Sequence, residues 1–159
     1  FELQMDVTPG ELATTGVELY NAKGEKVKIY FDTKEGKLVM DRTESGLVEF
    51  GKRSVPHDIE KNYSDVHQGV GNTPFRVFNS INYKNDFALG TWAPLSLCKG
   101  TTYHVDIFVD KCSVEIFVDG GRIAMTNLVF PTAPYTSVKF YNNGASTSFR
   151  NITLSELSL

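Results

Sequence analysis

Residues that commonly staple or metallate a small protein are scarce in this chain. It has two cysteines, Cys98 and Cys112, one tryptophan, Trp92, and three scattered histidines, His57, His67 and His104. The cysteines flank a segment that reads as an extended strand. At ~3.3 Å per residue that strand holds them roughly 30 Å apart, beyond the ~7 Å between Cα atoms that a disulfide tolerates, so two free thiols are expected. So few Cys and His argue against a zinc centre, and no metal or other cofactor is expected. Asp106, Asp110 and Asp119 could hold calcium at a turn, but they lack the compact ligand run of a calcium loop. There is no basic run, and the formal net charge of −3 is mild. Nucleic acid and anionic membrane are therefore poor partners. No apolar stretch approaches the ~20 residues of a membrane-spanning helix. The chain opens at Phe1 without an initiating Met or a signal peptide, and reads as a mature fragment or an excised domain. Helical periodicity is missing as well, with no segment of about ten residues or more repeating at 3.6.

What the chain does have is aromatic residues, 12% of its 159, and alternation. The clearest pattern lies in residues 102–130. Val105, Ile107 and Val109 alternate with Asp106, Phe108 and Asp110, and Val114, Ile116 and Val118 alternate with Ser113, Glu115 and Phe117. A period of two marks strands with distinct faces. With Lys111-Cys112 as a two-residue turn, Val109 faces Val114 and Ile107 faces Ile116 in the core. Phe108 then sits beside Glu115 and Asp106 beside Phe117 on the other face. Asp119-Gly120-Gly121 predicts a second hairpin, because Gly accepts the positive φ of a tight turn. A third strand follows from about Arg122 to Phe130, and Pro131 stops it.

Elsewhere, Phe1–Thr8 alternates and predicts a strand, as does the stretch from Gly16 to Asn21. Residues 24–42 predict a hairpin turning at Lys34-Glu35-Gly36-Lys37, with Val27, Ile29 and Phe31 inward and Asp41 sharing the open face with Tyr30. Residues 47–100 are less regular and suggest long loops, which in compact domains are often functional. Phe75–Tyr83 reads as one strand within them, and Trp92, between Gly90 and Pro94, reads as part of a loop. Ser137–Asn142 and Ser148–Leu157 complete the set. About nine to twelve short strands with polar turns predict an all-β fold, a two-sheet antiparallel β-sandwich of the concanavalin or jelly-roll type, as one domain over residues 1–159.

Four ordered segments carry a family resemblance. They are Leu38-Val-Met-Asp41-Arg42-Thr-Glu-Ser-Gly46, Ala93-Pro94-Leu95, Val105-Asp-Ile-Phe-Val-Asp-Lys-Cys-Ser-Val-Glu-Ile-Phe-Val-Asp-Gly-Gly121 and Thr126-Asn-Leu-Val-Phe130-Pro131. Together they resemble the C-terminal β-sandwich of glycoside hydrolase family 32, which includes invertases, inulinases and levanases. The segment between Gly46 and Ala93 is longer than in the plain accessory sandwich, and in this the chain is similar to carbohydrate-binding module family 66, found at the C-terminus of bacterial levanase. That resemblance implies a non-catalytic module that binds the terminal fructosyl unit of levan and other fructans. It further implies a secreted, extracellular, monomeric module tethered to a family 32 catalytic domain, with fructan or fructose as its ligand. The catalytic motifs of family 32, "WMNDPNG", "RDP" and "EC", do not occur here, and a glycosidase needs two carboxylates across the scissile bond.

A neutral sugar requires convergent hydrogen-bonding groups and a flat apolar wall. Asp41, Arg42 and Glu115 lie in the shared motifs and are the expected polar contacts. Trp92, Tyr30, Tyr63 and Phe117 are the expected aromatic wall. The same residues admit another role, in which Arg42 clamps Glu115 in a buried ion pair joining two hairpins. The alternative function is a purely structural sandwich that stabilises the catalytic propeller. Exposure discriminates between the two, because a structural sandwich leaves a large apolar patch when viewed alone. Charge on most predicted turns favours an independent module.

Overall fold

The structure is a computed structural model, and it describes residues 1–48, 87–95 and 100–157. Tyr63, Cys98, His57, His67 and the strand expected over Phe75–Tyr83 lie outside the described residues. Within them are ten strands and no helix. They are β1 (Glu2–Thr8), β2 (Thr14–Tyr20), β3 (Lys26–Asp32), β4 (Lys37–Asp41), β5 (Gly90–Pro94), β6 (Tyr103–Val109), β7 (Ser113–Val118), β8 (Ile123–Leu128), β9 (Ser137–Asn143) and β10 (Ser148–Ser155). One five-stranded sheet runs β10-β1-β6-β7-β8 and the other β5-β4-β3-β2-β9, and every pairing is antiparallel. This is the β-sandwich expected from the alternation.

The inward rows make the core. Leu3, Met5 and Val7 of β1, Val105, Ile107 and Val109 of β6, and Val114, Ile116 and Val118 of β7 are all buried. They meet Val17, Leu19, Val27, Ile29, Phe31, Leu38 and Met40 from the other sheet. The register between β6 and β7 pairs Val109 with Val114, Ile107 with Ile116, Phe108 with Glu115 and Asp106 with Phe117, as the period of two predicts. The turn between them closes with the Asp110 amide donating to the Ser113 carbonyl at 3.0 Å, which leaves Lys111-Cys112 as the two-residue tip. Cys112 is an exposed free thiol. At the next hairpin Asp119 and Gly120 take φ of +49° and +68°, the positive pair that a type I′ turn demands.

The two long edges of the sandwich differ. Where β5 and β8 run alongside, polar groups tie the sheets together. The Arg42 guanidinium, just past β4, donates from Nη1 to the Leu128 carbonyl at 2.9 Å. Asn127 donates to Thr91 Oγ1 at 2.5 Å and lies 2.8 Å from Met40 Sδ. The Leu47 amide donates to the Phe130 carbonyl, and Phe87 stacks near Phe130 with ring centroids 5.5 Å apart. Where β9 and β10 run alongside, the rings of Phe140 and Phe149 touch edge-on at 5.2 Å. Despite that contact, several inward side chains on these strands are left exposed. Pairing of Leu154 with Leu3 puts it, and by parity Ile152, on the core side of β10, and pairing of Phe140 with Val17 does the same on β9. Yet Leu154 is 63% exposed, Ile152 47% and Phe140 36%.

The core pairing makes a direct prediction. Ile116→Ala should cost about 2–5 kcal/mol of unfolding free energy in urea titration, since its side chain is wholly enclosed between strands.

Candidate functional site

The strand order separates the residues expected to converge. Tyr30, Asp41 and Trp92 share the outer face of the sheet containing β4. The parity of Asp41 with Tyr30 holds, because Asp41 pairs with Lys28 and Val39 with Tyr30. Trp92 is not in a loop. It lies in edge strand β5, paired with Val39. Gly90 and Pro94 suggested a loop, but a short edge strand tolerates proline at its end. Glu115 and Phe117 lie on the outer face of the opposite sheet, on the other side of the core. Arg42 points into the closed edge. It neither meets Glu115 nor forms the expected clamp: it donates to the Leu128 carbonyl and stacks over Phe87, 4.0 Å from the ring centroid. Burial lowers its pKa, and its Nε is enclosed without a hydrogen-bond partner.

The outer face around Trp92 is built in rows. Across the strands, pairing lines up Trp92, Val39, Tyr30, Gly16 and Tyr141. One flanking row is Gly90, Asp41, Lys28, Glu18 and Lys139, and the other is Pro94, Lys37, Asp32, Thr14 and Asn143. Charges alternate in sign along each flank. Trp92 is 58% exposed, and Lys37 Nζ sits 4.6 Å over its ring. Tyr30 and Tyr141 lean toward each other over Gly16, with centroids 6.5 Å apart. A Cβ at Gly16 would fall 2.0 Å from the Ile29 carbonyl oxygen, so only glycine allows β2 to approach β3 this closely. Burial is the main reason that both phenols are pushed upward, and the Asp41 charge adds to it. Asp41 itself accepts from the Thr43 amide and hydroxyl at 2.9 and 2.7 Å, which fixes the turn after β4. Tyr141 was not among the expected residues. The signal that could have found it was Gly16, a strand glycine that needs a ring from a neighbour to cover it.

The opposite outer face is acidic. Phe108 and Phe117 meet edge-on at 5.8 Å between Asp106 and Glu115. His104 lies beside two carboxylates, with Nδ1 2.8 Å from Asp6 Oδ1 and Nε2 3.2 Å from Asp106 Oδ1. Asn151, in a bulge with φ of +51°, donates to Asp6 at 2.6 Å. The Asn151 bond, then the His104 bond, lower the Asp6 pKa, and the Asp6 bond leads the rise at His104. Asp119 pairs with Arg122 at 2.9 Å, and Asp110 accepts from the Lys111 amide. Among the described residues, no three His, Cys, Asp or Glu side chains converge on a metal position.

The class that this fold defines is the two-sheet antiparallel β-sandwich. The chain matches the family described as glycosyl hydrolases family 32 C terminal over residues 1–156, and it belongs to that family. It is 25% identical over 154 residues to the levanbiose-producing levanase of Bacillus subtilis (strain 168), covering 97% of this chain and 23% of that protein. Among solved structures, the exo-inulinase of Aspergillus awamori superposes with a TM-score of 0.59 at 20% identity, over 92% of this chain and 23% of that one. The fructosyltransferase of A. japonicus gives 0.62 at 16% identity, over 95% and 21%. The chain thus spans about a quarter or less of the length of these proteins.

Two measurements follow from this geometry. Arg42→Ala should lose about 1.5–3 kcal/mol in urea titration, as expected for a charged donor removed from a carbonyl, while Glu115→Ala stays within about 0.5 kcal/mol. The His104 pair has its own pH signature. The raised His104 contributes stability in full below its ordinary value of 6.5, and the contribution is lost as pH rises through the raised folded-state value. The lowered Asp6 contributes above its ordinary 3.8, and the contribution is lost as pH falls through the lowered value. Tm should therefore decline as pH is raised past neutrality, and His104→Asn should flatten that decline.

Proposed function

We propose that this chain is the non-catalytic accessory domain of a fructan-acting family 32 enzyme, and that it packs against the catalytic domain and steadies it. The observation that carries this reading is the open edge between β9 and β10. Ile152, Leu154 and Phe140 occupy core-facing positions yet remain exposed, and Leu157 beyond β10 is exposed too. Side chains placed for a core but left in water call for a covering partner. The chain spans 23% of the length of the levanbiose-producing levanase it resembles, which supports a catalytic domain of the same polypeptide as that partner. The names of the relatives, levanases among them, support fructan as the substrate class.

Charged turns favour an independent module, whereas the exposed core-facing side chains along β9 and β10 support the structural role. The terminal-fructosyl pocket of a family 66 module drew on Asp41, Arg42 and Glu115 together, and this strand order gives that pocket no support.

The test is carried out on the full-length enzyme bearing this domain. Ile152→Glu with Leu154→Glu should lower the Tm of the catalytic unit and open the junction to limited proteolysis. Unchanged Tm and unchanged protease resistance would rule out this edge as the docking face.

A further inference from the structure

We propose that the row Trp92–Val39–Tyr30–Gly16–Tyr141 is a track that holds a fructan chain along its length on the outer face of its sheet, with Trp92 on the edge strand farthest from the open edge and Tyr141 on β9 beside it. This inference rests on fructan being the substrate class. The row crosses five neighbouring strands, about 19 Å at ~4.8 Å per strand spacing. That is long enough for several sugar units and longer than a terminal-residue pocket needs.

The chemistry of the face selects the occupant. The exposed indole of Trp92 stands at one end of the row with Lys37 Nζ over its ring, and the half-buried rings of Tyr30 and Tyr141 follow toward the other end. On either side, residues two positions along each strand supply Lys37, Asp32, Asp41, Lys28, Glu18 and Lys139, about 7 Å from the central row. Their signs alternate and cancel, so the face presents no net field to a charged partner. It presents carboxylates and ammonium groups in equal measure, which accept from and donate to hydroxyls. A neutral, hydroxyl-rich chain meets both demands: its ring faces lie on the aromatics, and the hydroxyls at its rim reach the flanks. Gly16 carries no side chain of its own, and the rings of Tyr30 and Tyr141 lean together over it to floor the centre of the track. A nucleic acid or an acidic peptide would need a surplus of positive charge that this face lacks. A docked protein would need a broader apolar area than one row one residue wide.

A track differs from a pocket in what it reads. It registers internal units, so its benefit grows with chain length and not with the number of ends. The experiment compares full-length enzyme with its Trp92→Ala and Trp92→Phe variants on long-chain levan or inulin and on sucrose. For Trp92→Ala, KM on the long polymer should rise roughly two- to tenfold, the range of a lost aromatic contact, with kcat and the KM for sucrose unchanged. Trp92→Phe should recover most of the loss. An unchanged KM on the polymer overturns the track. So does an equal rise on polymer and sucrose, which would mark Trp92 as a support for the catalytic domain. A parent enzyme that turns over sucrose but no fructan overturns the substrate reading itself, a result separable from the other two.

Discussion

The two sheets are fastened along one edge, and the rest of the molecule follows from that asymmetry. Arg42 reaches from the end of β4 to the Leu128 carbonyl at the end of β8, and Asn127 reaches back to Thr91 on β5. These polar bonds cross the sandwich where apolar packing runs out, and each satisfies a group that would be costly to leave enclosed and unpaired. With one side held, the inward rows of β1, β6 and β7 meet those of β2, β3 and β4 at full depth. Among the described residues β9 and β10 meet through the edge-on contact of Phe140 and Phe149, while Ile152 and Leu154 further along β10 stay exposed. Closure on one side thus creates both the buried core and the uncovered apolar strip.

The local architecture was legible because the side-chain period of a strand is short and strict. The register of β6 on β7, the Lys111-Cys112 turn and the shared face of Tyr30 and Asp41 all follow from counting residues across short turns. Assembly was less legible. Asp41 and Glu115 sit in motifs that accompany each other along the chain, but they fall in different sheets and point away from each other. Parity fixes a face within a sheet; it says nothing about which sheet a distant strand joins. Trp92 was hidden by its flanking Gly90 and Pro94, whose turn preference is overridden at a sheet edge. Tyr141 was hidden because β9 joins β2 from far along the chain, so that only the strand glycine Gly16 between Tyr30 and Tyr141 hinted at a covering ring.

The two outer faces have distinct electrostatic characters. One carries Glu2, Asp6, Asp106 and Glu115, relieved by His104 and Arg150. The other alternates lysines with carboxylates around a line of rings. A body with one acidic face, one balanced aromatic face and one apolar edge has few equivalent ways to seat on a neighbour. Seating by the apolar edge leaves the Trp92 end of the aromatic row, on the opposite edge strand, away from the contact.

The position of β1 has a consequence for how the domain is made. Its neighbours are β6 and β10, so the first strand of the chain pairs with strands about a hundred and a hundred and fifty residues later. At the ~5–20 residues per second of synthesis, Leu3, Met5 and Val7 wait several seconds for their first partner and longer for their second. The hairpins of β2–β4 and β6–β8 close early from local contacts, whereas the sheet holding β1 is completed only when its last strand emerges. Loss of β10 would therefore be felt at β1, a strand from the other end of this sequence, which would be left as a bare sheet edge.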